Sequence, residues 1–160
     1  MSDYPKASFR FLTWTDLDVL NNRFPQPTPT SHDKRLQKQD KGSASYVCAE
    51  LENAVVAIQL IRWKGPQNKA DRLLSTLPEV GSLYTLPQYR GKGIGAALVR
   101  YSENMISDKG YSGVGAIIKD NNDISIAMHL KDGYQKIGEA SRTKQHPDLS
   151  RSYYIKLFAQ

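Results

Sequence analysis

Apolar residues recur along this chain in two periods, and the changes between them predict elements in the order β, α, α, β, β, β, α, β, α, β, β. Phe9 to Trp14 is apolar and aromatic enough for a first strand, after which Thr15 or Asp16 caps a helix through Asn22 with Leu17 and Leu20 on one face. Phe24 to Thr30 carries three alternating prolines, which rule out helix and give an extended, stiff connector. A short polar helix opens at Ser31 or His32 and runs toward Lys41, where Gly42 stops it; His32 is expected to be exposed. Ser45 to Glu50 and Ala54 to Trp63 read as an antiparallel hairpin around the turn-prone pair Glu52-Asn53. Lys64 to Pro78 is a polar connector with a short apolar knot at Leu73, Leu74 and Leu77.

The sharpest change of period lies between Glu79 and Arg100. Val80, Leu83, Tyr84, Thr85 and Leu86 form a strand that Pro87 closes, because proline cannot donate to a sheet ladder. Beyond a glycine-rich turn, Ile94, Ala97, Leu98, Tyr101 and Met105 recur at helical spacing, and Gly110 is placed to end the pattern. Gly113 to Lys119 holds a short buried strand of the kind that pairs in parallel after a crossover helix, which closes a β-α-β unit. A helix capped near Asn121 or Asn122 and stopped by Gly133 follows, and Gln135 to Ala140 and Ser152 to Phe158 finish as two strands.

A length of 160 residues with 39% in the hydrophobic set suits a single domain, 1–160, around one core. No apolar run approaches the roughly 20 residues of a membrane helix, and Met-Ser-Asp-Tyr-Pro-Lys at the start has no signal-peptide character, so a soluble cytoplasmic protein is expected. Cys48 is the one cysteine, which excludes an intrachain disulfide; a buried small hydrophobe is its expected role. Lys and Arg number 22 against 16 Asp and Glu, and the net charge of +6 favours polyanionic partners. Nucleic acid is disfavoured, since the basic residues are not clustered among aromatics and no helix-turn-helix or zinc-ligand pattern is present.

The glycine-rich turn sits at a helix N-terminus, where the first N–H groups have no intrahelical partner and the dipole adds partial positive charge. Gly91, Gly93 and Gly95 remove β-carbons that would hold a phosphate away, and Arg90 and Lys92 add full charges. Arg90 to Ala96 therefore reads as a pyrophosphate cradle, for which three patterns compete. A Walker-type loop needs Gly-Lys-Ser/Thr, which the chain lacks. Gly91 to Ala96 satisfies G-x-G-x-x-G/A, but Pro87, Gln88, Tyr89 and Arg90 separate the strand from the first glycine. The 40 residues after Asp120 are also too few for the second half of a doubly wound sheet. The third pattern, Arg-x-x-Gly-x-Gly, is met by Arg90, Gly93 and Gly95.

With Leu83 to Gly95 around it, and with the block Asn122 to Tyr134 that runs from an Asn through a helix to Gly-Tyr, this third pattern resembles the GCN5-related N-acetyltransferase (GNAT) superfamily. The resemblance is good from Glu79 to Tyr134 and extends to the first half by the order of its elements. It implies an α/β fold with a mixed, twisted β-sheet flanked by helices, splayed between the strands at Val80 and Gly113 with acetyl-CoA in the gap. It implies N-acetyltransferase activity, with acetyl-CoA as cosubstrate and an amine acceptor of undetermined identity.

By that resemblance, Arg90, Gly91, Lys92, Gly93, Ile94, Gly95 and Ala96 hold the pyrophosphate, and the backbone near Leu83 and Thr85 holds the pantetheine arm. Asn122 either bonds the pantetheine or caps its helix. Glu79 is the best-placed base for the amine proton, with a solvent-exposed strand end as the alternative. His129 stands where many relatives carry a tyrosine that protonates the departing thiolate. Imidazole is also a usable general acid, and a packed helix histidine is the alternative. The superfamily's first helices commonly overhang the acceptor, so Lys34, Arg35, Lys38 and Lys41 either attract an acidic substrate or form a solvated face. Tyr134 is expected in the core. A non-catalytic acyl-CoA-binding sensor of the same fold is the rival reading. No membrane partner is expected, and a homodimer is left open.

Overall fold

Glu52 and Asn53 both adopt positive φ, 50° and 66°, and this two-residue turn joins β2 (Ala44–Leu51) to β3 (Ala54–Arg62) with a twist that suits paired strands. The computed structural model describes residues 6–159; the stretch Met1 to Pro5, read above for signal-peptide character, lies outside them. Among the described residues, seven strands form a mixed sheet in the order β1-β2-β3-β4-β5-β7-β6, flanked by helices. The chain divides into two compact units, one running to Ile61 and including Ser82–Ser102, the other comprising Arg62–Gly81 and the chain from Glu103 onward.

In the first unit β1 (Ser8–Phe11) pairs antiparallel with β2, from Ser8↔Glu50 to Phe11↔Val47. The strand ends before the expected Trp14. Asp16 Oδ2 accepts the Thr13 N–H at 2.8 Å, which starts a helical turn at Trp14 that leads into α1 (Leu17–Arg23). Together with α2 (Ser31–Asp40), it buries Leu20, Phe24 and Leu36 in one cluster with Tyr46, Cys48, Ile58 and Leu60. Cys48 is a core residue as expected, and burial pushes its thiol up to about 12.

His32 departs from expectation. It is fully buried, because its two ring nitrogens meet partners that only the tertiary fold supplies. Nε2–H donates to Phe24 O at 3.1 Å, and Nδ1 accepts from the Tyr46 hydroxyl at 2.8 Å. Arg35 donates to the same hydroxyl at 3.1 Å and to Ser82 Oγ at 3.2 Å, so it is committed within the fold.

In the second unit the start of β4 (Glu79–Thr85) pairs parallel with β5 (Gly113–Lys119) through Glu79↔Gly115 and Val80↔Ala116. β7 (Arg151–Leu157) lies antiparallel to β5 from Gly113↔Leu157 to Lys119↔Arg151, and β6 (Gln135–Ala140) lies antiparallel to β7. Gly115 is dictated by packing, since a Cβ there would lie 2.4 Å from the Tyr153 hydroxyl. The polar connector contains a short helix, α3 (Lys69–Arg72), capped by Asn68 Oδ1 from Ala70 N–H at 2.9 Å. In its apolar knot Leu73 and Leu74 are both exposed, Leu74 the less so because it lies against Gly138, where a Cβ would meet Leu74 Cδ2 at 3.3 Å. Two further helices complete the chain, α4 (Ile94–Asp108) and α5 (Asp123–Lys131). Among the described residues, no helix is long and apolar enough to cross a membrane.

Candidate active site

The glycine-rich loop lies between β4 and α4 and is shaped by backbone conformation before charge enters. Gly91 and Gly93 take φ of 76° and 80°, values that a side chain resists, so the loop needs glycine at both. Gly95 serves differently. A Cβ there would stand 3.2 Å from Thr85 Oγ1 and 3.8 Å from Leu83 Cδ2, so its hydrogen lets the first turn of α4 close onto the end of β4. Ala97 N–H is taken up by Gly93 O at 3.0 Å, and the N–H groups of Ile94, Gly95 and Ala96 precede the helix's own ladder.

The two cations of the loop brace it. Arg90 Nε donates to Thr85 O at 2.8 Å, with its guanidinium 4.9 Å over the Tyr84 ring. Lys92 Nζ donates to Gln88 O at 3.4 Å and lies 5.7 Å from the Tyr89 ring. Ser82, with φ of 56°, interrupts the regular pleat of β4 just before Leu83. Gly95 and Arg90 thus both meet the end of β4, at Thr85.

Glu79 is no exposed strand end, the reading set against its role as base. It is 5% exposed, with Oε1 3.5 Å from Arg62 Nη1. Burial pushes its carboxyl above the usual carboxylate range, against the pull of Arg62 and Arg151. Glu79 lines a cavity of about 440 Å³ that also takes in Asp71, Ile117, Arg142 and Arg151. Asp71 is 2% exposed and accepts Ser141 N–H on Oδ1 at 2.7 Å.

Asn122 caps α5, its Oδ1 accepting Ser125 N–H at 3.2 Å. His129 lies one turn beyond Ser125. Its Nδ1 is 2.7 Å from Ser125 O, which can only accept, so the ring's proton sits on Nδ1 and Nε2 carries the lone pair. Burial lowers its proton affinity below the ordinary histidine range. Its ring meets Tyr134 edge-on at 4.8 Å between centroids. Tyr134 is a core residue as expected, and its hydroxyl donates to Glu103 Oε2 at 2.7 Å. Lys156 joins Glu103 at 3.0 Å and Asp132 at 3.1 Å.

The sequence model of the acetyltransferase (GNAT) family matches residues 11–134, well over half of the chain. The chain belongs to this family. Solved structures agree with the GNAT fold over nearly its whole length. A ribosomal-protein-alanine N-acetyltransferase from Brucella melitensis is 20% identical, covering 94% of this chain and 99% of its own, with a TM-score of 0.75. A GNAT-superfamily phosphinothricin acetyltransferase from Sinorhizobium meliloti, solved with AcCoA, is 23% identical over 96% of this chain and 89% of its own, TM-score 0.75. The PaiA N-acetyltransferase of Thermoplasma acidophilum, solved with coenzyme A, is 13% identical over 96% of this chain and 100% of its own, TM-score 0.71. No curated protein sequence matches significantly.

Sequence reasoning missed two buried charged residues of this GNAT chain, Asp71 and Glu103, and the half-buried Arg62 that faces Glu79. Each sits in or beside a polar or amphipathic segment, where a charged residue ordinarily faces water. Arg62 carried a usable signal, a charge inside the otherwise apolar end of β3.

Proposed function

We propose that this GNAT protein, its residues 1–160 acting as one domain, transfers an acetyl group from acetyl-CoA to an amine. The observation that carries the reading is the loop heading α4, left-handed at Gly91 and Gly93 and closed onto Thr85 at Gly95. Such a loop lets backbone N–H groups approach a pyrophosphate closely, with Arg90 and Lys92 supplying positive charge at its rim. Acetyl-CoA supplies an activated acetyl group when bound. Arg90 to Ala96 would hold its pyrophosphate, and the backbone at Leu83 and Thr85 would align its pantetheine arm. The structures of relatives with AcCoA and coenzyme A support this choice of ligand. Asn122 has Oδ1 engaged in its cap, which leaves its amide N–H groups to offer to a carbonyl.

Glu79 takes the proton that an incoming ammonium must lose, since only the neutral amine has a lone pair. A buried carboxylate suits that task, because burial raises its proton affinity toward that of the amine. His129 rests neutral, so it can protonate the departing sulfur only after Nε2 has itself gained a proton during turnover.

The deciding experiment is a calorimetric titration with acetyl-CoA, CoA, dephospho-CoA and NAD. Preferential binding of acetyl-CoA or CoA is expected. Binding of NAD with no CoA species bound would overturn the reading and restore the dinucleotide pattern at Gly91 to Ala96.

A further inference from the structure

The cavity beside Glu79 is built from opposed charges. Its lining brings two carboxylates, Asp71 and Glu79, together with Arg62, Arg142, Lys144 and Arg151 in about 440 Å³. Both carboxylates are buried, at 2% and 5% exposure, whereas Arg142 and Lys144 are exposed at the rim, on the loop between β6 and β7. Arg142 Nη1 donates to Pro147 O at 3.0 Å, which ties that cation to its own loop.

Asp71 is the informative member. Its Oδ1 accepts from Ser141 N–H, but Oδ2 is buried with no hydrogen-bond partner, and the nearest cation, Arg151 Nη2, stands 3.9 Å away. A buried carboxylate oxygen without a donor is costly, and Asp71 is one of the residues that line the cavity. The acidic floor and the basic rim therefore ask for a ligand with an N–H donor at one end and an anion at the other.

We propose that this cavity is the acceptor site and takes an amine that also carries an acidic group, of the free amino acid class, with its amino group against Asp71 and Glu79 and its acid group against Arg142 and Lys144. The assignment rests on the acetyltransferase reading above. Four cations against two carboxylates leave the lining with excess positive charge, which loosens the ammonium's hold on its proton. Glu79 receives that proton. The freed lone pair then forms the C–N bond as the C–S bond of acetyl-CoA breaks, the nitrogen loses a second proton, and the sulfur takes one up as the CoA thiol. One proton is released overall. The amide product lacks the charged donor that Asp71 and Glu79 held, which favours its release.

The test measures CoA release from acetyl-CoA with proteinogenic amino acids and with their carboxamides, which keep the amine and lose the acid. At least one free amino acid should exceed its carboxamide in kcat/KM by about tenfold or more, as charge-assisted hydrogen bonds to the acid group predict. In the double variant R142A/K144A that preference should fall by a similar factor, mainly through KM, while R142K/K144R keeps it; thermal melts confirm that both variants fold. The proposal is overturned if carboxamides serve as well as the acids, or if the preference survives R142A/K144A. It is equally overturned if a protein that binds acetyl-CoA accepts no amino acid. Failure to bind acetyl-CoA instead overturns the acetyltransferase reading, and this assignment with it.

Discussion

Arg62 Nη1 and Glu79 Oε1 stand 3.5 Å apart at a carboxylate that keeps 5% of its surface exposed, and the glycine at position 81 makes room for the pair. A Cβ on Gly81 would lie 3.2 Å from Arg62 Nη1 and 3.5 Å from Glu79 Oε1. Burial raises the Glu79 carboxyl and Arg62 opposes it, so the pair sets the pH at which Glu79 loses its proton. Arg62→Met should move the acid limb of the kcat/KM profile to higher pH by about one unit or more, and Arg62→Lys should move it less. An unmoved limb in Arg62→Met would show that Glu79 is not the titrating base.

Gly93 tests the cradle separately from the chemistry. Its φ of 80° has open space around it, so a substitution there meets backbone strain without a steric clash. Gly93→Ala should cost roughly 1–2 kcal/mol in urea denaturation, and Gly93→Asn less, because Asn tolerates the left-handed region. Acetyl-CoA affinity should fall in the same order as the strain. Equal stabilities for the two variants would mean that the loop relaxes to another conformation.

Glu103 should leave a signature in stability against pH. Burial beside Asp132 lifts its carboxyl from 4.5 to about 7. The folded state thus keeps a proton that the unfolded chain gives up. Its stabilising contribution is full below about 4.5 and is lost as pH rises toward 7. Glu103→Gln should flatten that part of the curve in chemical denaturation across this range. Tyr134→Phe, which leaves Oε2 without its donor, should cost about 1–3 kcal/mol.

Local chemistry was legible in the sequence, and the distant partners of buried polar groups were not. The Glu52-Asn53 turn, the strand Gly113–Lys119 and the Asn122 cap each follow from residues within a few positions of one another. The glycine-rich loop was legible for the same reason, although the sequence cannot separate the conformational need at Gly91 and Gly93 from the close approach at Gly95. Asp71 reads as part of a polar connector because its partner, Ser141 N–H, lies seventy residues away. His32 reads as a surface residue until Phe24 O and Tyr46 are brought to its two nitrogens. A buried polar group is stable only with its partners, and partners distant in sequence leave no periodic trace.

His32 and His129 hold opposite tautomers, and this can be observed directly. Phe24 O and Ser125 O can only accept, so His32 carries its proton on Nε2 and His129 carries its proton on Nδ1. Burial lowers the pKa of both rings below the ordinary 6.5. Below that value the unfolded chain binds protons that the folded chain resists, so this contribution to stability is present above about 6.5 and is lost as pH falls, the reverse of Glu103. Long-range 1H–15N spectra near neutral pH should show one ring of each tautomer, with the exposed His146 as the comparison. Both buried rings should still be neutral at a pH of about 6.5, where half of an unperturbed histidine is charged. An imidazolium at His129 under those conditions would make it a ready proton donor in the resting state, and the need for it to gain a proton during turnover would be withdrawn.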